Sequence, residues 1–432
     1  MELSAKFDKD RVWRQGQSVR YLVVRVTDAG ERPRGRAALN LALVVDASGS
    51  MQGEPLRFAV DAAHRVVDGL TAQDRLSVVS FDTQVTDHVV AQSMTREGRD
   101  RAKRLLDTLE AGSCTNLSGG WFRGAEHVAR VMESGHPFQN RVIVLSDGHA
   151  NEGIAEPSAL AEHARQLAIR GLITSTVGVG DNYHAETLEA MSVHGGGAHH
   201  RAARPNEIVE VVSAELSGMR LTVAEGVTLR IQHPGNVRIR SLNEFPQRTA
   251  EGVTTCDLGS LASGASRTAV FRVKFPAGDA GAACQFEARA DWKRPGDEDL
   301  YSTDSIRMAA VFSNGKENSA QAPNAALAEE VAQVWQAYIV RRIVRLNREG
   351  RFAEAVRRVD RDLPLFEKYA KNAVSGKKLV AELRKLREAA SRQWSEGNRK
   401  EVELVMYKRA HGVADVRSAP PAAEAWSDLL RE

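Results

Sequence analysis

The chain has 432 residues, of which 42% are hydrophobic and 27% are charged. This composition is typical of globular domains and excludes a collagen, an acidic disordered chain and a disulfide-rich miniprotein. The length predicts about three domains, at roughly 150 residues each. The net charge of +3 is unevenly distributed, because residues 325–418 carry 21 Lys and Arg against 13 Asp and Glu, whereas residues 1–324 have a net charge of −3. The positive charge is therefore concentrated in one C-terminal block.

The first seventeen residues, MELSAKFDKDRVWRQGQ, are polar, whereas a secretory signal has an apolar core. The longest apolar runs have the length of a strand, well short of the ~20 residues that span a bilayer. The three cysteines, Cys114, Cys256 and Cys284, are too few and too scattered for a zinc site or a disulfide framework. We therefore expect a cytoplasmic protein with reduced thiols.

Along the chain, the apolar pattern first predicts a strand at Val19, Tyr21 and Val23, which alternate with other residues. Between residues 37 and 216, short apolar runs then alternate with segments of helical period, which predicts a doubly wound α/β sheet. The predicted strands are 39–45, 76–81, 141–145 and 172–179. The predicted helices lie within 59–70, 102–109, 117–132, 160–168 and 208–216.

After residue 216, apolar and polar residues alternate in short segments separated by turns, which predicts a β-sandwich. Because the N-terminal segment has the same alternation, we expect residues 1–36 and 217–312 to form one sandwich that holds the α/β domain, 37–216, as an insertion. A separate N-terminal hairpin is the alternative. The rest is expected to be a polar linker, a helical bundle and a flexible tail, at 313–324, 325–411 and 412–432. The predicted fold class is multidomain: α/β plus all-β plus all-α.

Oxygen-bearing side chains occur where the predicted α/β strands end. They are Asp46, Ser48 and Ser50 after the first strand, Thr115 in the turn before the third helix, and Asp147 after the third strand. Ligands of open α/β sheets bind at the carboxyl ends of the strands, so we expect these side chains to lie close together. An all-oxygen set is what Mg²⁺ or Mn²⁺ prefers. The alternative is that these residues only cap turns and helices.

This pattern resembles the metal-ion-dependent adhesion site of von Willebrand factor A domains, of the bacterial intracellular type. The resemblance covers residues 37–216 and includes Phe81-Asp82, Ser146-Asp-Gly148 and Val177-Gly-Val-Gly-Asp181. It implies a Rossmann-like domain in which the five oxygens bind Mg²⁺, or Mn²⁺ or Ca²⁺, and leave one position for an Asp or Glu of a partner protein. One residue departs from the family, since Cys114 stands where a glycine commonly precedes the threonine.

The resemblance further implies a non-enzymatic adaptor or scaffold in a bacterial signalling or phage-defence system. Its partners there would be MoxR-type AAA+ ATPases, kinases, phosphatases or peptidases. Two alternatives stay open. One is an RNA-binding scaffold that uses the basic C-terminal helices, and the other is a magnesium-dependent enzyme, for which the sequence offers no evident base or nucleophile.

Basic residues form two stripes on the predicted C-terminal helices, Arg341, Arg342, Arg345 and Arg348, and Lys377, Lys378, Arg384, Lys385 and Arg387. Such stripes bind phosphates in some proteins. Acidic residues are interspersed among them, however, so we favour an ordinary solvated face with ion pairs along the helices. The bundle is expected to contain helix breaks at Gly350, Pro364 and Gly397.

Two smaller features each allow two interpretations. His194, His199 and His200 flank a run of glycines, so solvated histidines are favoured over a zinc site. In the C-terminal tail, Trp426, Leu429 and Leu430 are spaced as in one amphipathic turn, which predicts either a docking segment or a disordered one.

Overall fold

The computed structural model describes residues 1–30, 37–148, 151–180 and 183–412. It contains a mixed α/β unit, two sheets that pack as a sandwich and are antiparallel except for one parallel pair, and a C-terminal helical bundle. The predicted fold class, multidomain with a doubly wound α/β domain, is confirmed. Residues 413–432, which include the tail segment with Trp426, Leu429 and Leu430, lie outside the described residues.

The chain begins with three strands of the sandwich, β1 (Glu2–Phe7), β2 (Arg11–Trp13) and β3 (Val19–Thr27). The α/β unit follows, with strands β4 (Ala38–Asp46), β5 (Arg75–Phe81), β6 (Val85–Ser93), β7 (Phe138–Ser146), β8 (Leu172–Val179) and β9 (Gly196–Ala202). Its helices are α1 (Glu54–Gly69), α2 (Arg96–Leu106), α3 (Leu117–Met132), α4 (Pro157–Ile169), α5 (Ala185–His194) and α6 (Glu207–Arg220).

The central strand β4 is buried on both faces because its side chains alternate between two cores. Leu41 and Leu43 pack with residues of α1, α2 and α6, whereas Ala42 and Val44 pack with residues of α3, α4 and α5. This is why the predicted strand is a continuous apolar run. The strand order is β6-β5-β4-β7-β8-β9, parallel except for the edge strand β6. The chain order reverses between β4 and β7, which places a crevice at their carboxyl ends.

The sequence pattern missed three elements of this unit, β6, α5 and β9. Strand β6 lies at the sheet edge with Val90 half-exposed, so its polar composition gives no apolar run to detect. Strand β9 starts in the glycine run that we interpreted as an exposed segment.

The sandwich continues after α6 with β10 (Thr222–Gln232), β11 (Arg238–Ser241), β12 (Gln247–Ala250), β13 (Val253–Ala262), β14 (Ser266–Lys274), β15 (Ala283–Lys293), β16 (Leu300–Ser302) and β17 (Ile306–Ser313). One sheet has the order β1-β3-β14-β11 and the other β12-β13-β10-β15-β17-β2, with β16 paired to β15. Strand β3 pairs with β1 and β14, and β2 pairs with β17. Strands from before and after the α/β unit therefore share both sheets, so that unit is inserted into the sandwich.

The remaining helices are α7 (Gly315–Ala320), α8 (Ala325–Arg348), α9 (Phe352–Ala370), α10 (Gly376–Ala389) and α11 (Glu396–His411). The segment 313–324, which we expected to be a linker, contains α7 and is attached to the sandwich, since Gln321 Oε1 accepts a hydrogen bond from the Arg11 amide at 2.8 Å. Within the part of the chain that is described, no helix is long and apolar enough to cross a membrane.

The predicted break at Pro364 is wrong, and the break predicted at Gly397 lies a few residues earlier, between α10 and α11. Helix α9 continues through Pro364, and Gly397 lies in the first turn of α11. Val359 and Phe366, on either side of the proline, are fully buried in the bundle core. Burial of these side chains therefore outweighs the loss of one backbone hydrogen bond at the proline.

The bundle packs on the outer face of the first sheet. Tyr21 and Val270 of that sheet form an apolar cluster with Val331, Val334 and Tyr338 of α8. An apolar seam therefore fixes the bundle against the sandwich.

Candidate metal site

The loop after β4 is held by its neighbours through backbone hydrogen bonds. The Ala47 amide donates to the Phe81 carbonyl at 2.8 Å, and the Ala47 carbonyl accepts from the Gly112 amide at 2.6 Å. The Gly49 amide donates to the Ser113 carbonyl at 3.0 Å. Phe81 ends β5, and Gly112 and Ser113 lie in the loop that leads into α3. These bonds therefore hold the loop after β4 and the loop before α3 together at the crevice at the carboxyl end of the sheet.

Side-chain oxygens from the predicted residues converge at this crevice. Asp46 Oδ1 accepts from the Ser48 amide at 2.9 Å, and Ser48 Oγ lies 3.1 Å from Ser50 Oγ. Ser50 Oγ donates to Asp147 Oδ1 at 2.7 Å. These contacts link residues of two loops that are about a hundred positions apart in the chain.

Thr115 joins the same cluster across a small space beside Gly148. A side-chain carbon placed on Gly148 would lie 3.2 Å from Thr115 Oγ1 and 3.7 Å from Asp46 Oδ2. The two oxygens therefore border one small space, which is open because Gly148 has no side chain. The structure thus brings all five predicted residues together.

The cluster is buried at its base and open on one side. Asp46, Ser48, Thr115 and Asp147 are buried, whereas Ser50 is exposed to solvent. An ion held by these oxygens would keep access to a further ligand from the Ser50 side.

The two carboxylates lack a compensating charge. Burial raises the pKa of Asp147 to about 6, and the nearby Asp46 charge adds to this effect against the Ser50 hydrogen bond. Burial also raises the pKa of Asp46, although hydrogen bonds from Ser146 and Ser48 oppose it. None of the ion pairs between described residues includes either aspartate. A small divalent cation fits this donor set, because it would neutralise both carboxylates and prefers carboxylate and hydroxyl oxygens.

The residues that orient these side chains were not predicted from the sequence. Ser146 Oγ donates to Asp46 Oδ2 at 2.5 Å, and Asn151 Oδ1 accepts from the Thr115 amide at 2.7 Å. The sequence offered one signal for Ser146, its position directly before Asp147. No local signal indicated that Asn151 holds the Thr115 loop in place. Both act through another residue, so they are positioning residues.

Comparison with known proteins agrees with this geometry. The family model of the von Willebrand factor type A domain matches residues 40–213. The chain contains a VWA domain. Inter-alpha-trypsin inhibitor heavy chain H3 of Rattus norvegicus is 28% identical over 218 residues, which cover 48% of this chain and 24% of that protein. An uncharacterized protein of Synechocystis is 30% identical over 190 residues, 44% of either chain. The chain thus spans less than half the length of these relatives.

Two solved structures share the whole three-part architecture. A von Willebrand factor type A protein from Catenulispora acidiphila superposes with a TM-score of 0.71 at 17% identity, over 94% of this chain and 96% of that one. The ArnB paralog VWA2 from Sulfolobus acidocaldarius gives a TM-score of 0.59 at 16% identity, over 95% and 98%. The likeness extends beyond the VWA domain to the sandwich and the bundle, and at these identities it concerns the fold alone.

The first basic stripe is not the solvated face that we favoured. Arg341 is 5% exposed and pairs with Glu189 of the VWA domain and, at 3.1 Å, with Glu244 of the sandwich. Arg345 forms a two-pronged pair with Glu244, and Arg348 pairs with Glu403 of α11 at 2.8 Å. Burial opposes ionisation of Glu244, but the Arg341 and Arg345 charges outweigh it and hold its pKa below the usual range. These arginines therefore join three domains, an arrangement we call the Arg341 junction.

This junction also weakens the nucleic-acid alternative, because three of the four arginines form ion pairs within the protein and Arg342 donates to Tyr338 Oη. In the second stripe, Arg384 pairs with Glu367 and Arg387 with Asp360, both near the surface. That stripe fits the solvated face that we favoured.

The interpretation of His199 and His200 as solvated is wrong. His199 is buried and its Nδ1 lies 2.9 Å from Thr176 Oγ1. Burial, together with the positive charges of His200 and Lys400, lowers the pKa of His199 to about 3. His200 Nε2 lies 2.7 Å from Glu215 of α6. The cause is β9, an edge strand on which α5, α6 and β13 pack, so that His199 and His200 are enclosed.

Proposed function

We propose that the VWA domain binds a divalent cation at Asp46, Ser48, Ser50, Thr115 and Asp147, and through it binds an acidic residue of a partner protein. The single observation that carries this proposal is the pair of facing buried carboxylates with no cationic partner among the described residues. Buried charges are compensated in stable proteins, so an uncompensated pair indicates a missing cation. Mg²⁺ is the first choice and Mn²⁺ or Ca²⁺ the alternatives.

Each residue has a distinct part in this proposal. Asp46 and Asp147 supply the two negative charges, and Ser48 and Thr115 supply neutral oxygens from the buried side. Ser50 lies at the exposed side, where the partner's carboxylate would arrive. The bound cation supplies an electrophilic position for that carboxylate. Because Asp46 and Asp147 only balance the charge of the ion, binding would depend on a partner carboxylate that reaches the cation itself.

We propose an adaptor or scaffold that binds and does not catalyse. In keeping with the family resemblance, we place it in the cytoplasm of a bacterium, in a signalling or phage-defence system. Its partner would be a MoxR-type AAA+ ATPase, a kinase, a phosphatase or a peptidase that presents Asp or Glu. The shared architecture of the Catenulispora structure supports a common three-part scaffold.

Isothermal titration calorimetry tests the proposal in two steps, first with MgCl₂ and then with an aspartate-containing peptide. We expect the protein to bind Mg²⁺, and the peptide to bind in Mg²⁺ but not in EDTA. Equal peptide affinity in both buffers would overturn the proposal. Co-purification with mass spectrometry, from cells that carry the wild type or Asp46→Ala, would then identify the partner.

Three variants make this test specific. Asp46→Ala removes a charged ligand, and Thr115→Val removes one hydroxyl at nearly constant volume. Asp100→Ala, on the exposed face of α2, is the matched control. We expect the first two to lose Mg²⁺ binding and the control to keep it, with unchanged circular dichroism in all three. Retained binding in Asp46→Ala would contradict the assignment of the site.

A further inference from the structure

A groove of about 570 Å³ runs along α1 beside the candidate metal site. Its floor is apolar, with Leu56, Val60 and Leu109. Its rim is acidic, with the exposed residues Asp61, Asp107 and Glu110. We call this surface, defined by these six residues, the α1 groove.

The α1 groove begins where the metal-site loops end. Gln52, two residues after Ser50, lines one wall, and Ala111, next to Gly112, lines the other. The hydrogen bonds from Gly112 to Ala47 and from Gly49 to Ser113 tie these two walls together at the site. A chain that places a carboxylate at Ser50 therefore meets the groove directly.

The charge of the groove is predominantly negative. Arg57 is the one strongly basic side chain in the lining, and it faces Glu54 at 3.4 Å. His64 lies 3.1 Å from Asp107, whereas no ion pair between described residues engages Asp61 or Glu110. Two carboxylates at the rim are thus available to a cationic ligand, above a floor that would accept an apolar side chain.

We propose that the α1 groove binds the residues next to the metal-bound carboxylate of the partner, and that the partner motif is an Asp or Glu followed by an apolar residue and then by a Lys or Arg. The proposal rests on the proposed function and specifies its partner. The partner must then carry an apolar and a basic residue as well as the carboxylate, because a carboxylate alone would not reach the acidic rim.

The dimensions of α1 set the spacing of this motif. From Glu54 to His64 the helix rises about 15 Å, at roughly 1.5 Å per residue. An extended peptide advances about 3.3 Å per residue, so four to five residues cover the groove. The basic residue is therefore expected about four residues from the acidic one, with the apolar residue midway.

Two synthetic peptides test this inference, acetyl-DALAK-amide and acetyl-DALAE-amide, measured by calorimetry in Mg²⁺ and in EDTA. We expect the lysine peptide to bind about three- to tenfold more tightly in Mg²⁺, as suits exposed and partly screened ion pairs. In the double variant Asp61→Lys/Glu110→Lys the preference should reverse toward the glutamate peptide. The double variant Glu97→Lys/Glu210→Lys, which changes the same charge on α2 and α6 outside the groove, should keep the wild-type preference.

The outcomes separate the two proposals. Equal Mg²⁺-dependent binding of both peptides, unchanged by Asp61→Lys/Glu110→Lys, would overturn the groove and leave the metal-dependent function intact. Absence of binding of either peptide in Mg²⁺ would overturn both. If the groove variant instead alters only the oligomeric state in sedimentation, the groove is a contact between copies of this chain, and the proposed partner motif is wrong.

Discussion

The metal site and the Arg341 junction both collect charged side chains away from water, yet they balance charge in opposite ways. At the junction, Arg341 lies between Glu189 and Glu244, and each carboxylate has a cationic partner. At the candidate metal site, Asp46 and Asp147 accept hydrogen bonds only from neutral groups among the described residues, including the Ser48 amide and the hydroxyl groups of Ser146 and Ser50. Internal compensation is typical of a structural contact, whereas missing compensation indicates a ligand.

The two regions also differ in how their residues are distributed along the chain. The junction joins Arg341 to a glutamate 152 positions away, and its parts belong to three domains. The metal site lies within one domain, on loops whose positions follow from the sheet. We therefore expect removal of a charged residue to lower the free energy of unfolding at the junction, and to leave it unchanged or raise it at the candidate metal site in the absence of metal.

The largest expected effect is at Arg341. Replacing it with methionine, Arg341→Met, leaves Glu189 and Glu244 buried with too little positive charge and should lower the free energy of unfolding by about 3–5 kcal/mol. Urea unfolding followed by tryptophan fluorescence measures this loss. Arg357→Met, on the exposed face of α9, is the control and should change stability by less than about 0.5 kcal/mol. If Arg341→Met lowers the free energy of unfolding by less than about 1 kcal/mol, the Arg341 junction does not depend on internal charge compensation and the contrast with the metal site is wrong.

At the metal site we expect the opposite sign. Asp147→Asn removes one of two facing carboxylates, so in EDTA the thermal midpoint should stay equal to the wild type or rise. In Mg²⁺ at a hundred times its dissociation constant, the wild type should gain about 2.7 kcal/mol, and the variant should gain nothing. Scanning calorimetry in both buffers checks this. Marked destabilisation of Asp147→Asn in EDTA would show that the carboxylate is structural.

Acid should lower the free energy of unfolding because His199 is buried in its neutral form. Because the pKa of His199 is lowered to about 3, the unfolded state binds more protons between that pH and about 6.5. The contribution of neutral His199 to the free energy of unfolding is therefore fully present above about pH 6.5. It is lost as the pH falls, by about 2 kcal/mol at pH 5. Urea unfolding from pH 7.5 to 5 measures the slope, which His199→Gln should reduce. An unchanged slope in the variant would show that other groups cause the pH dependence.

The smallest effect is expected at Ser146. Ser146→Ala removes the hydrogen bond that orients Asp46 and should weaken Mg²⁺ binding about tenfold, as for other groups that support metal ligands. Stability in EDTA should change little. Titration with Mg²⁺ checks this, with Ser158→Ala on α4 as the exposed serine control. An affinity equal to that of the wild type would show that Asp46 is held in place without Ser146.

Local pattern predicted most of the α/β unit, and for physical reasons. Strands covered on both faces require uninterrupted apolar runs, so 172–179 was predicted with the bounds that the structure has for β8. The edge strand β6 and the glycine-rich start of β9 have no such requirement and were missed. Pro364 was interpreted as a break because local propensity disfavours it, but packing of the bundle core keeps α9 continuous.

The sequence by itself determined the fold class and the VWA domain and predicted the five clustered oxygens, because side chains at strand ends are encoded in short motifs whose positions the sheet enforces. Only the tertiary structure decided that Arg341 is buried, that His199 is neutral and that Asp46 is oriented by Ser146. The charge state and exposure of a side chain depend on groups that are remote in sequence. The same spacing of arginines in a sequence is therefore compatible with a solvent-exposed helix face and with a buried contact among three domains.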